Sequence, residues 1–294
     1  MILFFNSNSF YLKNIHWTFG FSKDVIGGVQ SLCTPDRKSI FSVSSHSGVI
    51  YDYENRTQLI LQGHCNLISC CAVSKDKRWI VTADHGDESI LVVWDSFSGA
   101  PVKTLFNPHK MGVISLDISE DALFICTLSA PESVSLLVKV EYYTHHFQSI
   151  QRSIQEVSIW AWTRELDVPI LRKDLISPES QHLIRFDPSR QNEFSTTGPK
   201  TVCFWTWEEF SIEGYLGKVS KTDFGHYSGK FTSTVYISGT ETAMTSTEDG
   251  FVIVWETQYA TVLLDDPSDR LMRTASKVRV LVLLKIKFFC LCTE

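Results

Sequence analysis

The sequence predicts an all-β protein built from one repeated unit of three or four short strands, and three observations predict it. The first is the stretch from Gly63 to Asp95. It holds three apolar runs of strand length, Ile68 to Val73, Trp79 to Ala83 and Ile90 to Trp94, separated by Lys75-Asp76-Lys77 and His85-Gly86-Asp87-Glu88. Short runs rich in β-branched and aromatic residues between polar turns read as strands. The second is recurrence. A Gly-His pair (Gly63, His64) opens this stretch and a Trp-Asp pair (Trp94, Asp95) closes it, and a degenerate copy runs from Gly225-His226 through Thr247-Glu248-Asp249-Gly250 to Trp255-Glu256. The third is spacing: aromatics suited to close the third strand of a unit stand at Tyr51, Trp94, Trp160, Trp205 and Trp255.

A Gly-His opening and a Trp-Asp close within about 40 to 45 residues resemble the WD repeat, one blade of a β-propeller. The expected fold is therefore a WD-repeat β-propeller with about five recognisable blades, incomplete as it stands. By the same resemblance, a His, a hydroxyl residue, an acid and the closing Trp of a blade form one hydrogen-bonded set. His226, Thr247, Asp249 and Trp255 match those roles in the last unit. In the reference unit His64, Thr82 and Trp94 match, and the acid is open between Asp84 and Glu88. Buried polar groups are tolerated only when paired, so such a chain ending on an indole N–H can be dry and satisfied. The trio of His, Thr and Asp is on this reading structural and not a catalytic triad.

In chain order, residues 1–27 form an unassigned N-terminal segment, with Ile15 to Gly20 as a candidate entering strand. Residues 28–132 carry the first two blades and the start of the third. The first blade has runs at Val29 to Cys33, Ile40 to Ser44 and Val49 to Tyr53, and Ser47-Gly48 stands where an Asp-Gly turn is expected. The third opens at His109 with Val113 to Ile118 and Leu123 to Leu128. There the spacing of closing aromatics jumps to 66, against 43, 45 and 50 elsewhere. The excess places an insert at residues 133–155, between the second and third strands of that blade. It reads either as a loop on a partner-binding face or, the preferred expectation, as translated non-coding sequence, since Val138-Lys139-Val140 and Phe147-Gln148 fit splice-junction-like codons. Residues 156–264 complete the third blade and carry the fourth, from His182, and the fifth, from Gly225. Residues 265–294 are a tail. A chain of five blades is expected to be a fragment or truncated product with an open edge.

Composition excludes several function classes. The 27 basic and 33 acidic side chains give a net charge of −6. With no basic cluster, nucleic acid is not an expected partner. The most apolar run, Val278 to Cys292, is short and interrupted by Arg279, Lys285 and Lys287, so no membrane partner is expected. The eight cysteines include no C-x-x-C pair and sit mostly in strand runs, as buried free thiols do. His145-His146 lacks a third ligand at a usual spacing, and no metal or cofactor is expected. The tryptophan pairs Trp160/Trp162 and Trp205/Trp207 repeat at period two and are assigned to packing between blades. Nothing in the pattern argues for an enzyme.

The run LQGHCNLISCCAVSKDKRWIVTADHGDESILVVWDSFSGAPVKTLF, the Trp17-Thr18-Phe19-Gly20 segment, and VSIWAW followed by Phe204-Trp205-Thr206-Trp207-Glu208-Glu209 are more specific than the repeat itself. Together they resemble the N-terminal propeller of the cilia- and flagella-associated protein 251 family, over about Asn14 to Glu132 and Glu156 to Gln258. The resemblance implies a non-catalytic scaffold of the motile axoneme, near the base of a radial spoke and within the calmodulin- and spoke-associated complex, serving ciliary and sperm flagellar beating. The sequence departs from that family in lacking later blades and a C-terminal region, and in its insert. The rival from another class is a soluble cytosolic WD-repeat adaptor, such as a substrate receptor of a ubiquitin ligase.

Overall fold

The computed structural model describes residues 15–139, 147–177, 179–217, 229–256 and 259–264. These residues form five antiparallel sheets and no helix. The first sheet holds β1 (Val29–Ser31), β2 (Ser39–Ser44), β3 (Ser47–Asp52) and β4 (Thr57–Gln62), and the second β5 (Ile68–Val73), β6 (Trp79–Asp84), β7 (Ile90–Asp95) and β8 (Pro101–Phe106). The third holds β9 (Val113–Ile118), β10 (Ile125–Ser129), β11 (Glu132–Lys139), β12 (Phe147–Trp160) and β13 (Leu171–Ser177). The fourth holds β14 (Leu183–Phe186), β15 (Glu193–Thr197), β16 (Val202–Trp207) and β17 (Ile212–Leu216), and the fifth β18 (Phe231–Tyr236), β19 (Thr242–Thr247), β20 (Val252–Glu256) and β21 (Tyr259–Leu264). Within each sheet the strands follow chain order as a meander, apart from the additions to the third. The innermost strands β5, β9, β14 and β18 neighbour one another from sheet to sheet, so the sheets are successive blades of a WD-repeat propeller.

Burial follows from that arrangement. In β6 every residue after Trp79 is buried, because both faces of a middle strand meet a neighbouring blade. The outer strand β8 is half exposed. One core cluster joins the second and third sheets through Val81, Leu91, Val93, Leu116 and Trp160. Another joins the third and fourth through Leu128, Ile159, Phe194 and Trp205. Close backbone approach between the blades falls at Gly112, whose φ is +80° and where an added Cβ would lie 2.4 Å from the Cα of His85. Any side chain there would force the loops apart, and glycine alone avoids the strain.

Three expectations about local structure are corrected. Ile15 to Gly20 forms no strand: Thr18 N–H and C=O instead bond the side-chain amide of Gln58, at 2.8 and 3.0 Å, and the Trp17 ring packs edge-on to Tyr51. The turn of the first blade is not Ser47-Gly48, which begins β3, but Ser45-His46, with Ser45 at φ 58°. Finally, the second strand of the third blade begins at Ile125 and not at Leu123, because Ala122 takes φ 59° in a turn closed by Ser119 and Asp121.

Within the segment assigned as an insert, β11 pairs with the first half of β12 from Glu132↔Ile154 to Lys139↔Phe147 without a register shift. The second half of β12 pairs with β10 and β13. The second and third strands of this blade therefore continue outward as a two-stranded ribbon. Eight residues of ladder at about 3.4 Å each extend it by roughly 27 Å. His145-His146 and the tail from 265 lie outside the described residues.

Candidate functional site

The polar sets sit where the closing strand meets the second strand. In the second blade Trp94 pairs with Ile80, so Thr82 stands two residues further along β6. Trp94 Nε1–H donates to Thr82 Oγ1 at 2.8 Å, and that hydroxyl lies 2.7 Å from His64 Nε2. His64 Nδ1 lies 2.7 Å from Asp84 Oδ2, and Asp84 Oδ1 accepts the Ile90 N–H at 2.9 Å. The acid is therefore Asp84. Glu88 stands in the following turn at φ 53°. Thr82 and Asp84 are 0% exposed. The protonation that leaves every group paired has the indole donating to the hydroxyl, the hydroxyl to Nε2 and Nδ1–H to the carboxylate.

The last unit is arranged differently from the sequence expectation. Trp255 pairs with Ala243, which puts Thr245, and not Thr247, within reach of the indole; Trp255 Nε1–H donates to Thr245 Oγ1 at 2.8 Å. Thr247 occupies the position that Asp84 has in the second blade, and its hydroxyl accepts the Phe251 N–H at 3.0 Å. Asp249 is exposed in the turn after β19, beside Gly229. His226 lies outside the described residues.

Two further blades carry the indole-to-threonine bond. Trp160 donates to Thr127 at 2.9 Å and Trp205 to Thr196 at 3.0 Å. The third blade has a full set with altered chemistry. His109 Nε2 meets Thr127 Oγ1 at 2.7 Å, but Nδ1 meets Glu156 of β12 at 2.5 Å. Ser129 holds the Asp84 position and accepts the Glu156 N–H at 2.7 Å. Burial pushes the Glu156 carboxyl up, but the bond from His109, the charges of His109 and Arg172 and the Ser158 hydroxyl outweigh it and hold the pKa below its ordinary value. In the fourth blade His182 turns away from Thr196 and its Nε2 faces the Thr232 carbonyl at 3.2 Å. Burial lowers its pKa. Thr127, Thr196, Thr245 and Glu156 were not singled out in the sequence. The signal for the threonines is strand register, two residues past the one opposite the closing Trp.

In the second blade each member of the set is bonded to another and the His64 and Asp84 side chains are closed to solvent, whereas in the third Glu156 also pairs with Arg172 and is partly exposed. Among the described residues no group of three or more His, Cys, Asp or Glu is placed to hold a metal ion, and no helix is long and apolar enough to cross a membrane. Trp162 and Trp207 pack edge-on against Trp79 and Phe124 of the preceding blades, at 5.2 and 5.0 Å between ring centroids. The exposed apolar side chains include Leu67 and Met111 on the loops entering β5 and β9, and Phe106 on the outer strand β8.

Residues 13–293 match the family model described as the CFAP251 N-terminal domain. The chain is 37% identical over 267 residues to cilia- and flagella-associated protein 251 of Tetrahymena thermophila, covering 87% of this chain and 24% of that protein. It is 32% identical over 259 residues to the protein of that name from Chlamydomonas reinhardtii, covering 83% and 30%. A lower similarity, 24% over 254 residues, relates it to mouse echinoderm microtubule-associated protein-like 4, covering 82% and 22%. The chain thus spans less than a third of the length of these relatives. With a propeller of four-stranded blades and a family match along nearly its whole length, the chain belongs to the family of the cilia- and flagella-associated protein 251 N-terminal domain.

Proposed function

We propose that this chain is a non-catalytic WD-repeat scaffold of the motile cilium or flagellum, docked on the axoneme in association with the radial spokes. Its partners on this reading are spoke proteins and components of the calmodulin-associated complex, and its role is to support ciliary and flagellar beating. The observation that carries the reading is the similarity, over most of the chain, to relatives whose names place them in cilia and flagella. The name of a more distant relative, a microtubule-associated protein, points to the same kind of filament lattice. The physics agrees with a scaffold: blades locked by buried polar sets hold their loops in fixed relative positions, so several partners can be held at once. The non-enzymatic reading rests on the same sets, since the His, Thr and acid groups that could suggest catalysis are spent on one another and on tryptophan.

The test is localisation of the endogenous protein in ciliated or sperm cells, followed by salt extraction of demembranated axonemes. Retention with the axoneme, and cross-links to spoke proteins, are expected. A diffuse cytosolic protein bound to a ubiquitin-ligase adaptor would overturn the proposal in favour of the adaptor.

A further inference from the structure

The interface between the fourth and fifth blades differs from its neighbours at one register position. Trp79, Phe124 and Glu193 each precede by one the residue opposite a closing tryptophan, namely Ile80, Ile125 and Phe194. Trp79 and Phe124 meet an indole of the next blade, and the slot between the blades is filled by two rings. In the first blade that position is Ser39, which brings no ring, and Arg37, two residues earlier, crosses to the second blade, its guanidinium donating to Ser96 Oγ at 2.8 Å and to the Ser96 carbonyl at 2.7 Å. Glu193 brings no ring. Beside it lies a cavity of about 120 Å³, walled by the rings of Phe204, Tyr215 and Tyr236 and bordered by Glu193, Glu241 and Arg190. Tyr215, on an outer strand and 42% exposed, stands where the cavity meets the rim.

The chemistry of the walls selects the guest. Arg190 is shared by Asp187, 3.1 Å from its Nε, and Glu193, 3.0 Å from its Nη2. Glu241 borders the same cavity as a third carboxylate with no bond to Arg190, so the one guanidinium there pairs two of the three acids. Burial pushes the Glu193 carboxyl up against the pull of Arg190, and the charges of Asp187 and Glu241 push it further. A second cation would relieve that excess. Aromatic faces add attraction for a cation, a lysine ammonium as well as its methylated forms. A cavity of about 150 Å³ is of benzene size, so this one suits a group somewhat smaller than a ring.

We propose that the slot between the fourth and fifth blades is a binding site for an alkylammonium group, the side chain of a lysine, methylated or not, presented by a partner protein. Phe204, Tyr215 and Tyr236 surround the head, and Glu193 and Glu241 balance its charge. The site stands whether or not that partner is axonemal.

The test is calorimetric titration of the 294-residue chain with N-acetyl-lysine methylamide, its Nε-trimethyl counterpart, the uncharged norleucine analogue, and choline. Saturable binding of the lysine probes is expected, with none of the norleucine probe. Tyr215→Leu is expected to weaken binding about tenfold or more, an effect of the size of one good contact. Glu193→Phe, which builds the ring that Phe124 supplies one blade earlier, is expected to close the slot and abolish binding while keeping a cooperative unfolding transition. If Glu193→Phe fails to fold, Tyr215→Leu on the exposed outer strand decides. Absence of saturable binding to the native chain overturns the proposal, as does equal binding of norleucine or binding unchanged in the variants. Choline binding more tightly than both lysine probes would overturn the protein-borne source.

Discussion

Trp160 donates its indole N–H to Thr127 across 33 residues of sequence, the same contact that Trp94 makes with Thr82 across 12. The intervening ribbon leaves the register of β10 and β12 intact, because Trp160 still pairs with Ile125 and Thr127 falls two residues on. Thr127→Val keeps the shape and removes the hydroxyl, stranding both the indole N–H and His109 Nε2. A loss of about 1 to 3 kcal/mol is expected, the cost of leaving a buried polar group unpaired. Denaturant unfolding measures it. In the double variant with Trp160→Phe the two losses should add to less than their sum, since both remove the same bond.

The carboxylate of the third blade gives a pH dependence with a definite sign. Glu156 is held below its ordinary pKa in the folded chain, so it contributes stability above the unfolded value, and that contribution is lost as pH falls through the folded value. Glu156→Gln is expected to lower the unfolding midpoint at pH 7, and the gap to the native chain should shrink as pH falls below about 4, the ordinary range of a carboxyl. A gap that stays constant with pH would mean that Glu156 acts through packing alone.

The fold was legible because strand period and blade punctuation are local signals, and the reference blade shows the limit of that legibility. Gly63, His64, Trp94 and Asp95 frame it in plain sequence, and Thr82 lies in an apolar run where a hydroxyl stands out. The choice between Asp84 and Glu88 turned on which carboxylate shares a strand face with Thr82. Residues two apart do so, and a residue in the turn does not. That rule cannot choose between Thr245 and Thr247 in the last blade, which are two apart and share a face; only the pairing of Trp255 with Ala243 selects Thr245. Glu156 was illegible for another reason. It reaches His109 from a different strand, 47 residues away, and no spacing rule connects them.

Thiol reactivity should divide the described cysteines by burial. Burial pushes Cys71 and Cys203 up to about 12 and raises the Cys70 and Cys126 thiols as well. Cys33 is exposed, and bonds from Ser31 and Tyr53 lower its pKa. The thiolate is the reactive form. Alkylation of the native chain at neutral pH, read site by site by mass spectrometry, is expected to mark Cys33 and the exposed Cys65 and to spare Cys70, Cys71, Cys126 and Cys203. Tyr53→Phe should slow labelling at Cys33 specifically.

The last blade tests whether the sheets unfold as one body. Trp255 is 0% exposed, meets Phe204 of the fourth blade edge-on at 5.6 Å and Phe231 of its own at 6.4 Å, and donates to Thr245. Trp255→Ala removes the ring that joins the two blades and is expected to cost about 3 to 5 kcal/mol, the range for a buried large aromatic. Trp255→Phe keeps most of the packing and loses the indole bond, so its cost should be smaller, about 1 to 2 kcal/mol. If the blades unfold in one cooperative transition, both losses appear in the single midpoint. If the alanine variant leaves the main midpoint unchanged and adds an earlier, smaller transition, the fifth blade melts on its own, and the interface through Phe204 is too weak to couple it to the other four.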